Sequence, residues 1–68
     1  MEHDAAIEVL WRQHFANWSI TGKGIPADVL ARRLRAGWPG VSVKLVLDQL
    51  DERLRQVMRE HRRGARAY

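Results

Sequence analysis

An all-α fold is expected for this 68-residue chain: a three-helix bundle with a helix-turn-helix-like second and third helix, the C-terminal helix being long. Apolar residues recur at spacings of three and four in three separate stretches, and two breaks rich in glycine and proline divide those stretches. The first 61 residues are read as the three-helix domain, and residues 62–68 as a basic, frayed tail.

The first helix is placed from Asp4 to Trp18, because Ile7, Leu10, Trp11, Phe15 and Trp18 fall on one face. Asp4 is a candidate N-cap, and the early acids Asp4 and Glu8 suit the positive end of the helix. Thr21-Gly22-Lys23-Gly24 then breaks the periodicity, since glycine favours turns over helix. Pro26 can open a second helix, where its missing N–H is harmless, and that helix is expected to reach Ala36 with Val29, Leu30 and Leu34 inward. Gly37 is expected as the residue that closes it, with Pro39 preventing continuation.

Ser42 is a candidate cap for the third helix, whose apolar positions are Val43, Val46, Leu47, Leu50, Leu54, Val57 and Met58. The alternating steps of four and three from Val43 to Val57 form about two heptads, which fits a bundle or a dimer seam. A short strand over residues 41–47 is the competing reading, because VSVKLVL alternates partly and begins β-branched. It would suit a ribbon-helix-helix dimer, but too little chain follows for the two helices such a domain needs.

Charge is divided unevenly along the chain. The first 31 residues hold two basic side chains against four acidic ones, whereas residues 32–68 hold ten against four. Such polarity points to an anionic partner, with nucleic acid the commonest and double-stranded DNA favoured here. If the second and third helices act as a helix-turn-helix, the first turns of the third face base edges through Ser42, Lys44, Leu45, Asp48 and Gln49. Ser42 and Gln49 are the candidates for base contact. Arg32, Arg33, Arg35 and Lys44 are candidates for phosphate, with Lys23 and the tail arginines Arg62, Arg63 and Arg66 flanking. The same residues also fit a plain bundle with a solvated basic face, some of it paired with Asp48 or Glu52. Asp48, Asp51 and Glu52 place an acidic middle on the third helix, which opposes deep insertion of its whole length into a groove.

Gly22-Lys23-Gly24-Ile25-Pro26-Ala27-Asp28-Val29 resembles the basic-glycine loop that leads into a helix in the DNA-binding domain of actinobacterial nucleoid-bridging proteins. That family sets arginines around a glycine, and this chain sets glycines around a lysine. The likeness covers eight residues, and family membership is not inferred from it.

Trp11 and Trp18 are expected in the core, and Trp38, between glycine and proline, as the partly exposed tryptophan. His3, His14 and His61 lack metal-ligand spacing, and His14, among apolar residues, reads as a packed, hydrogen-bonded histidine. Neither a phosphate-binding glycine loop nor a nucleophile–base pattern is present, so the chain is not read as an enzyme, and no cofactor, metal or small-molecule substrate is expected. A chain this short buries only roughly 60% of its unfolded surface, and without cysteine the natural supplement is a homodimer. No apolar run is long enough for a bilayer, and the acidic start is unlike a signal peptide; a cytoplasmic location is the expectation. The competing function is a helical protein–protein or assembly module docking on an acidic partner.

Overall fold

The structure is a computed structural model that describes the backbone of residues 2–66 and the side chains of residues 2–62. It contains three α-helices: α1 (Glu2–Thr21), α2 (Ala27–Gly37) and α3 (Val43–Arg66). No strand occurs among the described residues, so the stretch from Val43 onward is helical. All three helices pack against one another.

Helix α1 begins earlier and ends later than its apolar spacing indicates. Asp4 lies inside the first turn with Glu2, so its carboxylate serves the helix dipole from within and does not cap. The C-terminal end is closed by Gly22, whose N–H donates to Trp18 O at 2.8 Å and whose φ of 81° is the left-handed conformation that glycine tolerates. Thr21 Oγ1 donates to Asn17 O at 2.8 Å, and the Asn17 amide donates to Lys23 O at 2.8 Å, which turns the chain back along α1.

Helix α2 has Pro26 as its N-cap, and the N–H groups of Val29 and Leu30 both donate to Pro26 O at 3.1 Å. Gly37 is helical and is not the left-handed residue beyond the end, because the Trp38 N–H still reaches Leu34 O at 2.7 Å. Trp38 therefore closes the ladder, and Pro39 stops it one residue later than expected. Ser42 caps α3 as its sequence position suggests, its Oγ accepting the Leu45 N–H at 3.3 Å.

Helices α1 and α3 run parallel. Near their starts the Ser42 N–H donates to His3 Nε2 at 3.2 Å, further along Arg53 pairs with Glu8 at 3.1 Å, and near the end of α1 the His61 ring meets Trp18 edge-on at 5.9 Å. Helix α2 runs back between them: Ile25, just before it, sits beside His14, and Gly40, just after it, lies near Glu2. The core is where the three meet, built from Ala6, Ile7 and Leu10 of α1, Leu30 and Leu34 of α2, Val41 of the turn, and Val46 and Leu50 of α3. Trp11, Ile25, Trp38, Val43 and Leu47 pack around it, so Trp38 folds back as a half-buried lid. Val43, Val46, Leu47 and Leu50 of the heptad-like seam of α3 are thus used inside the chain, while Leu54 and Val57 are half-buried and Met58 is exposed.

His14 is the one buried polar side chain among the described residues. Its Nδ1 accepts the Ile25 N–H at 3.0 Å, which fixes the proton of the neutral ring on Nε2 and pins the 22–26 loop to α1. Gly24 lies so close that a Cβ there would run into the His14 ring. Gly24→Ala must displace either the ring or the loop, and a loss of about 1–3 kcal/mol is expected. Thermal melting checks it: at this chain size each kcal/mol corresponds to a fall of about 4–8 °C.

Burial lowers the His14 pKa from its ordinary 6.5, with Asp51 opposing the shift. The unfolded ring therefore takes a proton at higher pH than the folded one. Stability is fully present above about pH 6.5 and is lost as pH falls below it toward the lowered folded value. Protonation also removes the Nδ1 acceptor from Ile25. Urea midpoints should fall between about pH 7.5 and about pH 5.5, and His14→Gln should flatten that part of the profile. An unchanged slope in the variant would assign the pH dependence to other groups.

Candidate nucleic-acid interface

The basic residues divide into groups with different surroundings. On α3, Arg55 pairs with Asp51 at 2.6 Å, Arg59 with Glu52 at 3.5 Å, and Arg53 reaches Glu8 on α1. These pairs are exposed, so each stabilises by at most about 1 kcal/mol, but they neutralise the acidic middle of the helix. Arg32, Arg35, Lys44 and Arg62 are also exposed, and among the described residues they form no ion pair.

The arginine trio of α2 is split by helical geometry. Leu30, Ala31 and Leu34 face inward, and Arg32 and Arg35, three residues apart, share the outward face. Asp28, one turn before Arg32, stands on that face as the only carboxylate of α2. Arg33 turns toward α1, where its Nη1 donates to Gln13 Oε1 at 2.8 Å. Sequence spacing alone gives no sign of that contact, because Gln13 lies twenty residues earlier.

The five residues named for the first turns of α3 lie together on its surface. Ser42, Lys44, Leu45, Asp48 and Gln49 are exposed and line one shallow depression. Leu45 is 46% exposed, an apolar point in a polar surround. Ser42 is engaged on both sides, through its N–H with His3 and through its Oγ with Leu45, which leaves its hydroxyl proton and one lone pair for outside partners. Gln49 and Lys44 carry no such engagement among the described residues.

Lys23 is exposed in the loop between α1 and α2, its carbonyl accepting from the Asn17 amide and its N–H donating to Thr21 Oγ1. The basic-glycine loop is therefore built as a strap: Gly22 turns, Gly24 clears the His14 ring, and only the Lys23 side chain is left outward. Of the tail expected at 62–68, the backbone of residues 62–66 belongs to α3; residues 67–68 and the side chains of Arg63 and Arg66 lie outside the described ones. Among the described residues no cluster of three metal-ligating side chains occurs, and no helix is long and apolar enough to cross a membrane.

Fold and surface together define a small all-α, three-helix protein with a helix-turn-helix-like pair, whose second helix exposes Arg32 and Arg35 with no ion pair among the described residues. Comparison with known protein families, with curated proteins and with solved structures finds no match for this chain.

Proposed function

We propose that this protein binds nucleic acid, double-stranded DNA first, with Arg32, Arg35 and Lys44 on phosphates and the first turns of α3 toward the bases. One observation carries the reading: the outward arginines of α2 and Lys44 stand exposed with no ion pair among the described residues, Asp28 being the one carboxylate of α2 on that face, while the arginines in the middle of α3 are already paired. An unpaired guanidinium can bind a phosphate without first giving up an ion pair. Arg33, turned toward α1 and Gln13, stands apart from that pair, and Lys23 and Arg62 are further exposed cations for flanking contact. Base-edge contact falls to Gln49, with Ser42 offering its hydroxyl proton and the one lone pair that Leu45 leaves free.

A second reading, docking on an acidic protein, draws on Leu45, whose exposed side chain beside Lys44 offers an apolar anchor that phosphate contact does not need. Fluorescence anisotropy against random duplex DNA, single-stranded DNA and RNA at two salt concentrations separates the readings. Duplex binding that weakens steeply with salt is the expected result. Duplex DNA left unbound by micromolar protein at low salt would end the nucleic-acid reading.

A further inference from the structure

A cavity of about 340 Å³ opens where the start of α2 meets α1 and α3. Small-molecule sites occupy about 300–1,000 Å³, so this one suits a small ligand. At about 30 Å³ for each water-sized group it has room for roughly ten non-hydrogen atoms. Its apolar walls are Ile25, Leu30, Leu47 and Leu50, of which Leu30 and Leu50 are buried and the other two half-buried.

His14 supplies a donor that the fold leaves unused. It lines the cavity and is only 7% exposed, so more than nine-tenths of it is buried. Its Nδ1 accepts the Ile25 N–H, which keeps the proton on Nε2, and no group among the described residues accepts that proton. Among the described residues no enclosed side-chain nitrogen or oxygen lacks a partner, so Nε2 is not sealed off. It opens into the cavity. Tautomer and position are both fixed by the Ile25 contact, and the Nε2–H is held ready for an acceptor from outside.

Charge at the rim decides the sign of the ligand. Asp48 and Asp51, three residues apart on α3, both line the cavity, and no lysine or arginine does. Arg55 already holds Asp51 at 2.6 Å, whereas Asp48 has no ion pair among the described residues. An anion entering here meets negative charge, and a cation meets a partner. We propose that the cavity binds a small organic ammonium compound: an apolar body against Ile25, Leu30, Leu47 and Leu50, a hydroxyl or carbonyl oxygen on the His14 Nε2–H, and the ammonium beside Asp48. The groups come from residue 14 and from 25–30 and 47–51, three separate stretches that spacing along the sequence does not unite. Neither Arg32 nor Arg35 takes part, so the site is independent of DNA binding.

Nuclear magnetic resonance titration of the isotope-labelled chain with phenylethanolamine tests the site, since that probe joins a ring, a hydroxyl and an ammonium in about ten non-hydrogen atoms. Saturable shifts are expected at His14 Nε2, Ile25 and Leu47, with a millimolar dissociation constant, as suits a ligand of that size. Phenethylamine, which lacks the hydroxyl, and phenylethanol, which lacks the ammonium, should each bind about 3-fold more weakly or worse. Mandelate keeps the ring and the hydroxyl but carries a carboxylate, and it should not bind. Asp48→Asn should weaken phenylethanolamine about 3-fold and leave phenylethanol unaffected, a difference that impaired folding would not produce. Ala27→Leu, at an exposed lining position, should fill the mouth and abolish binding with helicity unchanged. No saturable shift at His14 with phenylethanolamine up to about 30 mM would overturn the proposal. Mandelate binding as tightly as phenylethanolamine, or an Asp48→Asn variant that binds phenylethanolamine as the wild type does, would overturn it as well.

Discussion

Leu34→Ala is expected to bring the protein much closer to unfolding at room temperature. Leu34 is fully enclosed, and with Leu10, Val46 and Leu50 it makes up the set of largest fully buried side chains. Truncating a leucine in such a site removes its transfer free energy and leaves a cavity, together about 2–5 kcal/mol. The whole stability of a 68-residue domain is on the order of 3–10 kcal/mol, and no disulfide supplements it. One substitution therefore removes a large share of the total. Urea titration followed by circular dichroism checks it: the midpoint should fall in proportion to the stability removed, by a large fraction of its wild-type value. Leu54→Ala, at a half-buried position further along α3, should cost distinctly less. A Leu34→Ala melt displaced by only a few degrees would mean that the three helices do not meet where Leu34 sits.

Helix number and type were readable from sequence because local rules set them. Periodic apolar residues, the Gly22–Gly24 break, Pro26, Pro39 and the Ser42 cap act through the backbone within a few residues of themselves. The strand alternative at 41–47 fails for the same reason: Ser42 caps and Val43 starts a helix whose apolar residues meet two neighbouring helices at once. Boundaries were harder. Gly37 remains helical because the Trp38 N–H reaches Leu34 O, and Trp38 is held by packing on the core, a tertiary contact with no local signature.

Faces were less legible than elements. Periodicity placed Phe15 with Leu10 and Ile7, but it carries no information on how much of a helix its neighbours cover. The shortness of α2 decides that, and leaves the aromatic end of α1 open. On α3 the first half of the heptad-like seam, Val43 to Leu50, packs on α1 and α2 of the same chain, whereas Leu54 and Val57 stay half-buried and Met58 exposed. Among the basic residues, sequence grouped Arg32, Arg33 and Arg35 by proximity; the structure separates Arg33 through Gln13 and pairs Arg55 and Arg59 with acids four and seven residues before them. The i, i+4 pair was accessible from spacing. The Gln13 contact was not.

That separation makes the DNA proposal testable residue by residue. Arg32→Ala with Arg35→Ala removes two exposed guanidiniums that pair with no acid among the described residues. If both sit on phosphates, the slope of log affinity against log salt should shrink by about 1.8, roughly 0.9 for each phosphate no longer neutralised. Arg55→Ala with Arg59→Ala removes the same formal charge from α3, but those groups already face Asp51 and Glu52. Each would have to release a carboxylate before taking a phosphate, so the slope should change by less than half as much. Folding offers no escape in either comparison, because all four side chains are exposed and circular dichroism should be unaltered. Equal slopes for the two double variants would mean that binding responds to net charge alone, and the α2 face would lose its claim. A larger loss from the Arg55 and Arg59 variant would move the interface to the far end of α3, where Arg62 stands with no ion pair among the described residues.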